Sequence, residues 1–286
     1  MRANSSLKHP LLSLAAQFSG RLFSLIVLAG LVAACASEVG KPDLPYPAYV
    51  VTDEIEDMFM AALPGVRAKQ YYSDMRTRVS SSRVDLPAEW SGTTGGMPGK
   101  SLEVFVLEGR LKFSDFELGP GGYAYVPPGS LGFRLDTESG ARILYALDEV
   151  DDKAVIQSPI IFESELSPWR EVSPGIYEKD LRADPGSGAR SWLVRLDPGV
   201  TLPMTSSTVA REGYLVSGEV LYAECLEGEP EAATYYPGGY FRRPPDMVNG
   251  GANSAAVVPS VWFLRERSGG ESRDHSRCPP AVTSAD

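Results

Sequence analysis

Glu103 and Glu212 occupy matching places in two similar stretches, each six residues ahead of a glycine, Gly109 and Gly218. A carboxylate in a closed pocket can serve as a general base or as one oxygen ligand of a metal. The rest of the chain narrows that chemistry. Only two histidines are present, His9 near the start and His275 in a C-terminal stretch rich in Ser, Gly and Pro. The one histidine left once the leader is set aside lies in that tail, so neither a Ser-His-Asp triad nor a Cys-His pair is expected. The glycines from Gly92 to Gly99 lack the Gly-Lys-Ser/Thr ending and the following helix of a phosphate cradle. Three cysteines complete the reactive inventory: Cys35, Cys225 and Cys278.

The balance of charge removes one class of partner. Of 27 basic residues, Arg2, Lys8 and Arg21 fall in the first 34 positions, which hold no acid, so 24 bases face 37 acids in the remainder. A body that acidic repels phosphate backbones, and no nucleic-acid partner is expected. Hydrophobic residues are 43% of the 286, enough to expect a packed core rather than wholesale disorder.

The N-terminus reads as an address. Residues 22–34 carry no charge and follow three basic residues, a run too short for the roughly 20 apolar residues of a membrane span. Val32-Ala33-Ala34-Cys35 resembles the bacterial lipobox, in which the cysteine sulfur takes a diacylglycerol before cleavage. That resemblance implies a signal peptide over 1–34, lipidation at Cys35 and a membrane partner through the acyl chains. Ala36 after the cysteine implies sorting to the outer membrane of a Gram-negative envelope, facing the periplasm. Residues 35–50, with Pro42, Pro45 and Pro47, read as an extended tether. In an oxidising compartment Cys225 and Cys278 have two options: a disulfide, or a buried free Cys225 with Cys278 in a loose tail over 268–286.

The body is written twice. Pro64-Gly65-Val66 is echoed by Pro174-Gly175-Ile176, and Arg83-Val84-Asp85 by Arg195-Leu196-Asp197. The stretch from Glu103 to Gly109 is echoed by that from Glu212 to Gly218. Pro120-Gly121-Gly122-Tyr123 returns as Pro237-Gly238-Gly239-Tyr240, and a Pro-Pro pair follows each seven residues on. Such ordered matches imply a tandem repeat, with domains over 51–150 and 151–267. Short apolar runs broken by Gly and Pro, and the alternation in Leu111-Lys112-Phe113-Ser114, predict an all-β fold. Gly109 and Gly218 suit turns that need positive φ. One helix is expected, capped by Thr52 and running through Ile55, Met58, Phe59 and Ala62 to Pro64.

The Glu-to-Gly strands and the Pro-Gly-Gly strands resemble the two halves of the cupin signature. The chain is similar to bacterial tandem-cupin proteins of uncharacterised function and, more distantly, to the zinc-cupin domain of anti-sigma factors. The resemblance implies two double-sheet jelly rolls. It also exposes a deficit. Metal-binding cupins carry His-x-His, four residues, then Glu, and a third His after Pro-x-Gly-x-x. Counting from Glu103 and Gly129 places Gly96, Pro98 and Gly132 at the histidine positions of the first copy. The second copy offers Thr205, Ser207, Glu212 and Asn249, with Asp246 in place of the motif glycine. These oxygen donors, one of them charged, cannot outcompete water for a transition metal. No metal and no cofactor is therefore expected, and Glu103, Thr205, Ser207, Glu212 and Asn249 are expected to hydrogen-bond one another in the barrel mouths.

Function follows by weighing three classes. A non-catalytic, lipid-anchored binding or scaffold protein with a small-molecule ligand fits the lost ligands best. A metal-independent, isomerase-like enzyme would use Glu212 with Thr205, Ser207 and Asn249. An assembly role through edge strands would make a homodimer. The aromatics Tyr71, Tyr72, Phe116, Tyr123, Tyr125 and Tyr240 can line a ligand pocket or, as strand aromatics commonly do, fill the core.

Overall fold

Strands of two to ten residues separated by tight turns leave little room for helix, and the computed structural model of the chain is almost entirely β. It describes residues 48–280 apart from Ala61, Gly96 and Glu227. The leader, Cys35 and most of the tether lie outside the described residues. Two seven-stranded antiparallel sheets dominate. In spatial order the first contains Ile160–Glu163, Gly122–Val126, Lys100–Gly109, Ala141–Glu149, Val79–Leu86, Arg67–Asp74 and Asp57–Phe59. The second repeats the arrangement with Val50–Val51, Gly239–Arg243, Arg211–Ser217, Ser260–Glu266, Arg190–Leu196, Ile176–Ala183 and Arg170–Ser173.

Each large sheet curls over smaller ones to close a jelly roll. In the first half the small sheet is Trp90–Thr94, Phe133–Thr137, Leu111–Phe113 and Phe116–Leu118. In the second it is Glu229–Tyr235, Val220–Leu226 and Ala255–Ala256. Between the layers lie separate cores. Leu102, Val104, Val106, Leu111, Phe113, Leu135, Ile143 and Tyr145 fill the first barrel; Leu215, Val220, Tyr235, Phe241 and Trp262 fill the second.

A third core joins the outer faces of the two large sheets. Phe105 meets Phe263 with ring centroids 4.9 Å apart, and Tyr71 stacks on Tyr240 at 4.0 Å. Burial on both faces explains why the strands read as apolar runs instead of clean alternations. Of the aromatics singled out in the sequence, Tyr71, Tyr123, Tyr125 and Tyr240 belong to this core. Tyr72 lies beneath the Arg242 guanidinium at 4.0 Å, and Phe116 is exposed.

The two halves also trade strands, so the expected boundary at 150/151 is not where the sheets divide. Ile160–Glu163 pairs with Tyr125 to Gly122 of the first sheet, and Val50–Val51 pairs with Tyr240 and Gly239 of the second. The end of the expected tether is part of the fold: the Tyr49 amide donates to Tyr235 Oη at 2.9 Å, and its hydroxyl donates to the Tyr222 carbonyl. Exchanged strands leave each sheet dependent on the other half.

The helix expected from Thr52 onward does not form. Thr52–Glu54 makes a single 3-10 turn without a side-chain cap, and Asp57–Phe59 pairs as an edge strand with Lys69 to Arg67. A helix that short is marginal in water. Here the Thr52 hydroxyl instead hydrogen-bonds Tyr71 Oη and donates to the Gly238 carbonyl, and Gly65 at φ 80° turns the chain back into pairing. Gly109 and Gly218 take φ of 78° and 96°. Each presses against the backbone of an adjacent hairpin, Gly140 and Pro259 respectively, so a Cβ would clash there.

Of the loose tail expected over 268–286, the described residues to 280 are tied into the fold. Ser272–Asp274 pairs antiparallel with Thr205–Ser207, and Cys278 is disulfide-bonded to Cys225 with both residues buried. Closing a 53-residue separation is worth roughly 2–4 kcal/mol through the unfolded chain.

Candidate functional site

The second barrel's mouth holds three of the residues counted from its motif. Thr205 and Asn249 exchange backbone hydrogen bonds at 2.8 and 2.9 Å, which places the strand Thr205–Ser207 against the Asn249 turn. Asp246 occupies the left-handed region at φ 62°, as Gly129 does at 74° in the first copy, a conformation Asp tolerates better than most residues. The Asn249 carbonyl oxygen accepts from Tyr222 Oη at 3.1 Å, while Ser207 donates to Glu266 at 3.1 Å. Thus Asn249 and Ser207 each bond residues outside the counted set.

Charged side chains that the motif count overlooked fill this barrel. Arg243 donates through Nε to both oxygens of Glu224, at 2.8 and 3.1 Å, with the carboxylate fully buried. Arg211 donates to Glu266 at 2.9 Å. Burial alone would lower the Arg243 pKa, but Glu224 beside it raises it, so the guanidinium stays charged. Across the mouth runs the C-terminal strand. His275 donates its amide to the Met204 carbonyl, its Nε2 lies 2.9 Å from Ser206 Oγ, and Arg273 pairs with Asp246 at 3.1 Å. Two arginine–glutamate pairs and a disulfide-held strap occupy this mouth.

Glu103 and Glu212 are not in either mouth. Leu102, Val104 and Val106 point into the first barrel, so Glu103 and Phe105 face the opposite way. Likewise Leu215 belongs to the second barrel's core and Tyr214 to the inter-sheet core, which puts Glu212 with Tyr214. A side-chain period of two makes a one-residue offset a change of face. The inward positions at that level are Leu102 and Arg211, neither of which is a carboxylate.

Both glutamates instead meet between the sheets. Tyr123 donates to Glu103 at 2.7 Å; Ser81, from the first half, donates to Glu212 at 2.5 Å. Arg267 donates to Glu212 at 2.8 Å and its Nε lies 2.5 Å from Asp148. Arg265 bonds Asp148 and lies 3.7 Å from Glu103. Burial pushes the Asp148 carboxyl up, against the opposing pull of Arg265 and Arg267. Burial also acts to raise Glu212, but Arg265, Arg267, the Ser81 hydroxyl and Arg242 outweigh it and hold that carboxyl below its ordinary range. The cavity beside them is about 30 Å³, space on the scale of a water or two. Glu212 thus sits as a counter-ion between the sheets, bonded to Ser81 and Arg267, and not in the barrel mouth where it was expected.

An open, largely apolar groove lies at the first barrel's mouth. This groove of about 510 Å³ is lined by Met58, Met60, Met97, Ala68 and Leu147, with Gln70, Ser73, Asp74, Arg78, Ser80 and Ser82 as polar members. Its size falls in the range of small-molecule sites, and its apolar wall with few polar groups is their usual composition. Of the counted positions here, Gly96 lies outside the described residues, while Pro98 and Gly132 offer no donor side chain. Among the described residues no cluster of three His, Cys, Asp or Glu can hold a metal. The metal associated with this fold thus finds no fitting donor set in either barrel.

One signal for the missed residues was legible. Arg242-Arg243 follow Phe241 directly, and Arg265-Glu266-Arg267 follow an apolar strand, so buried ion pairs could be expected there. The methionine groove has no such signal, because Met58, Met75 and Met97 come from separate turns and strands.

No family model and no curated protein sequence matches the chain. Solved structures do. The chain is similar to a Nostoc punctiforme protein provisionally described as a dioxygenase, with TM-score 0.64 and 18% identity over 85% of this chain and 88% of that one. It is similar to protein Ylba from E. coli, with TM-score 0.59 and 16% identity over 78% and 94%. It is also similar to a variant of Bacillus subtilis oxalate decarboxylase, with TM-score 0.59 and 12% identity over 80% and 79%. The likeness is one of fold: two cupin jelly rolls in one chain.

Proposed function

We propose that this chain is a non-catalytic binding protein whose ligand, a small organic molecule, occupies the mouth of the first barrel. One contrast carries the reading: the second mouth is filled by Arg243–Glu224 and Arg211–Glu266 and strapped by Ser272–Asp274, whereas the first opens into an apolar groove of about 510 Å³. The neighbours of known structure include proteins named as enzymes, and among the described residues of this chain no cluster of three His, Cys, Asp or Glu stands ready to hold a metal. An isomerase-like reaction at Glu212 is disfavoured by the same geometry, since that carboxylate faces Ser81 and Arg267 away from either mouth.

The reading extends to location. Lipidation at Cys35 would hold the domain at the outer membrane, facing the periplasm, with the stretch before Tyr49 as its tether. Replacing Cys35 by Ala should release the protein from the membrane fraction; unchanged association would refute the anchor.

The binding role is tested by native mass spectrometry of the intact chain, purified gently from its own host. The expected result is a non-covalent organic adduct that disappears in a Met58→Asp variant, where a charge enters the exposed lip of the groove. A ligand retained by Met58→Asp but lost on removing the C-terminal strap would place binding in the second barrel and overturn the proposal.

A further inference from the structure

The chemistry of the first mouth goes further than its size. Of the seven methionines in the chain, Met58, Met60, Met75 and Met97 line this one groove. Methionine is unbranched and polarisable, and fits irregular apolar shapes better than β-branched residues do. Met75 is 93% exposed and Phe59 71%, so apolar surface is presented to solvent with nothing in the described residues covering it. Exposed apolar surface concentrated at a concavity marks a binding site more often than it marks chance.

The polar members of the groove are not equivalent. Asp74 is occupied: its carboxylate accepts from the backbone amides of Arg76 and Thr77 at 2.8 and 3.2 Å, which hold it below its ordinary range. Arg78 differs. Its amide donates to the Asp74 carbonyl, while its guanidinium makes no hydrogen bond or ion pair within the described residues. It also holds a left-handed backbone at φ 59°, uncommon for a residue with a long side chain. One uncommitted cation therefore stands at the rim of a thioether-lined trough, with Gln70 and the Ser80 and Ser82 hydroxyls alongside.

Resting on the binding reading above, we infer that the first barrel's mouth takes a monocarboxylate with an apolar body, its carboxylate on Arg78 and its hydrocarbon along Met58, Met60, Met97 and Leu147. A guanidinium meets a carboxylate through two parallel N–H donors, which gives the uncommitted Arg78 a role beside the methionines. A cationic ligand is disfavoured by the same Arg78, and a small hydrophilic acid would leave the methionines without a role.

Titration calorimetry with decanoate and with 1-decanol tests the assignment on the whole chain. Decanoate should bind the native protein roughly tenfold or more tightly than decanol, the scale of one charge-assisted hydrogen bond. Arg78→Gln should remove that advantage and leave decanol unchanged; Arg78→Lys should restore part of it. Met58→Asp should weaken both. Equal affinity for acid and alcohol, or an Arg78→Gln variant that binds decanoate as the native chain does, overturns the carboxylate assignment while leaving a binding groove in place. Binding of both probes that is indifferent to Met58→Asp overturns the groove itself. Because Arg78 is exposed in a turn, unchanged thermal melting in its variants separates lost binding from lost fold.

Discussion

Ser81 and Glu212 are 131 residues apart and hydrogen-bonded at 2.5 Å, a hydroxyl from one barrel's sheet on a carboxylate from the other's. The contact is the centre of a charged layer that also includes Asp148 from the first half and Arg265 and Arg267 from the second. Buried ions in such a layer add little net stability when complete, but they are costly to orphan. Glu212→Gln is expected to destabilise the chain by roughly 3 kcal/mol in urea denaturation, without altering ligand affinity at the first mouth. A loss of ligand binding at full stability would instead restore Glu212 to the functional site.

The same carboxylate makes stability depend on acid. Its folded value lies below the ordinary 4.5, so its contribution is complete above that pH and fades as pH falls through the folded value. Asp184 behaves alike with a wider window. Burial opposes it, but backbone amides of Ser187, Ile156, Val155 and Gly186 pull its carboxyl down to about 2. Denaturation midpoints should therefore drop between about pH 4 and pH 2, and Asp184→Asn should flatten that part of the curve. An identical acid limb in the variant would show that Asp184 does not carry this part of the pH dependence.

Within the second barrel, Arg243→Met would leave Glu224 buried beside a side chain that cannot answer its charge. Roughly 3–5 kcal/mol of stability should be lost, and the double change Arg243→Met with Glu224→Leu should recover most of it. Recovery is the informative half. If the double variant stays as unstable as the single one, the pair is more than a filler for the mouth.

The strap offers a separate readout. Cys278→Ser should cost roughly 2–4 kcal/mol and speed hydrogen exchange in Ser272–Asp274 and Thr205–Ser207, which pair directly. Strands of the first barrel, such as Lys100–Gly109, should exchange as before. Uniform acceleration across both halves would mean that the strap supports the whole unit.

Much of this architecture was legible in the residues. The repeated Pro-Gly-Gly turns and the matched glycines Gly109 and Gly218 place equivalent strands in both copies, and the all-β, two-barrel fold follows from them. The face of Glu103 was harder. In Leu102-Glu103-Val104-Phe105-Val106 both faces are buried, because one meets the barrel core and the other, with Phe105, meets Phe263 of the second half. Alternation then carries no label for inside, and a count from a distant motif misses by one residue. Strand exchange by Val50–Val51 and Ile160–Glu163 is a long-range choice with no local signature. The turn at Thr52 illustrates the same limit: cap and apolar spacing favour a helix locally, and tertiary partners at Tyr71 and Gly238 override it.

Metal content under permissive conditions tests the central claim most directly. The intact chain, produced and refolded with iron, manganese, nickel or zinc in turn and then desalted, should carry none of them stoichiometrically by elemental analysis. One tightly held atom per chain, lost on replacing Asn249 or Ser207 and retained by Met58→Asp, would contradict the reading that neither barrel offers a fitting donor set.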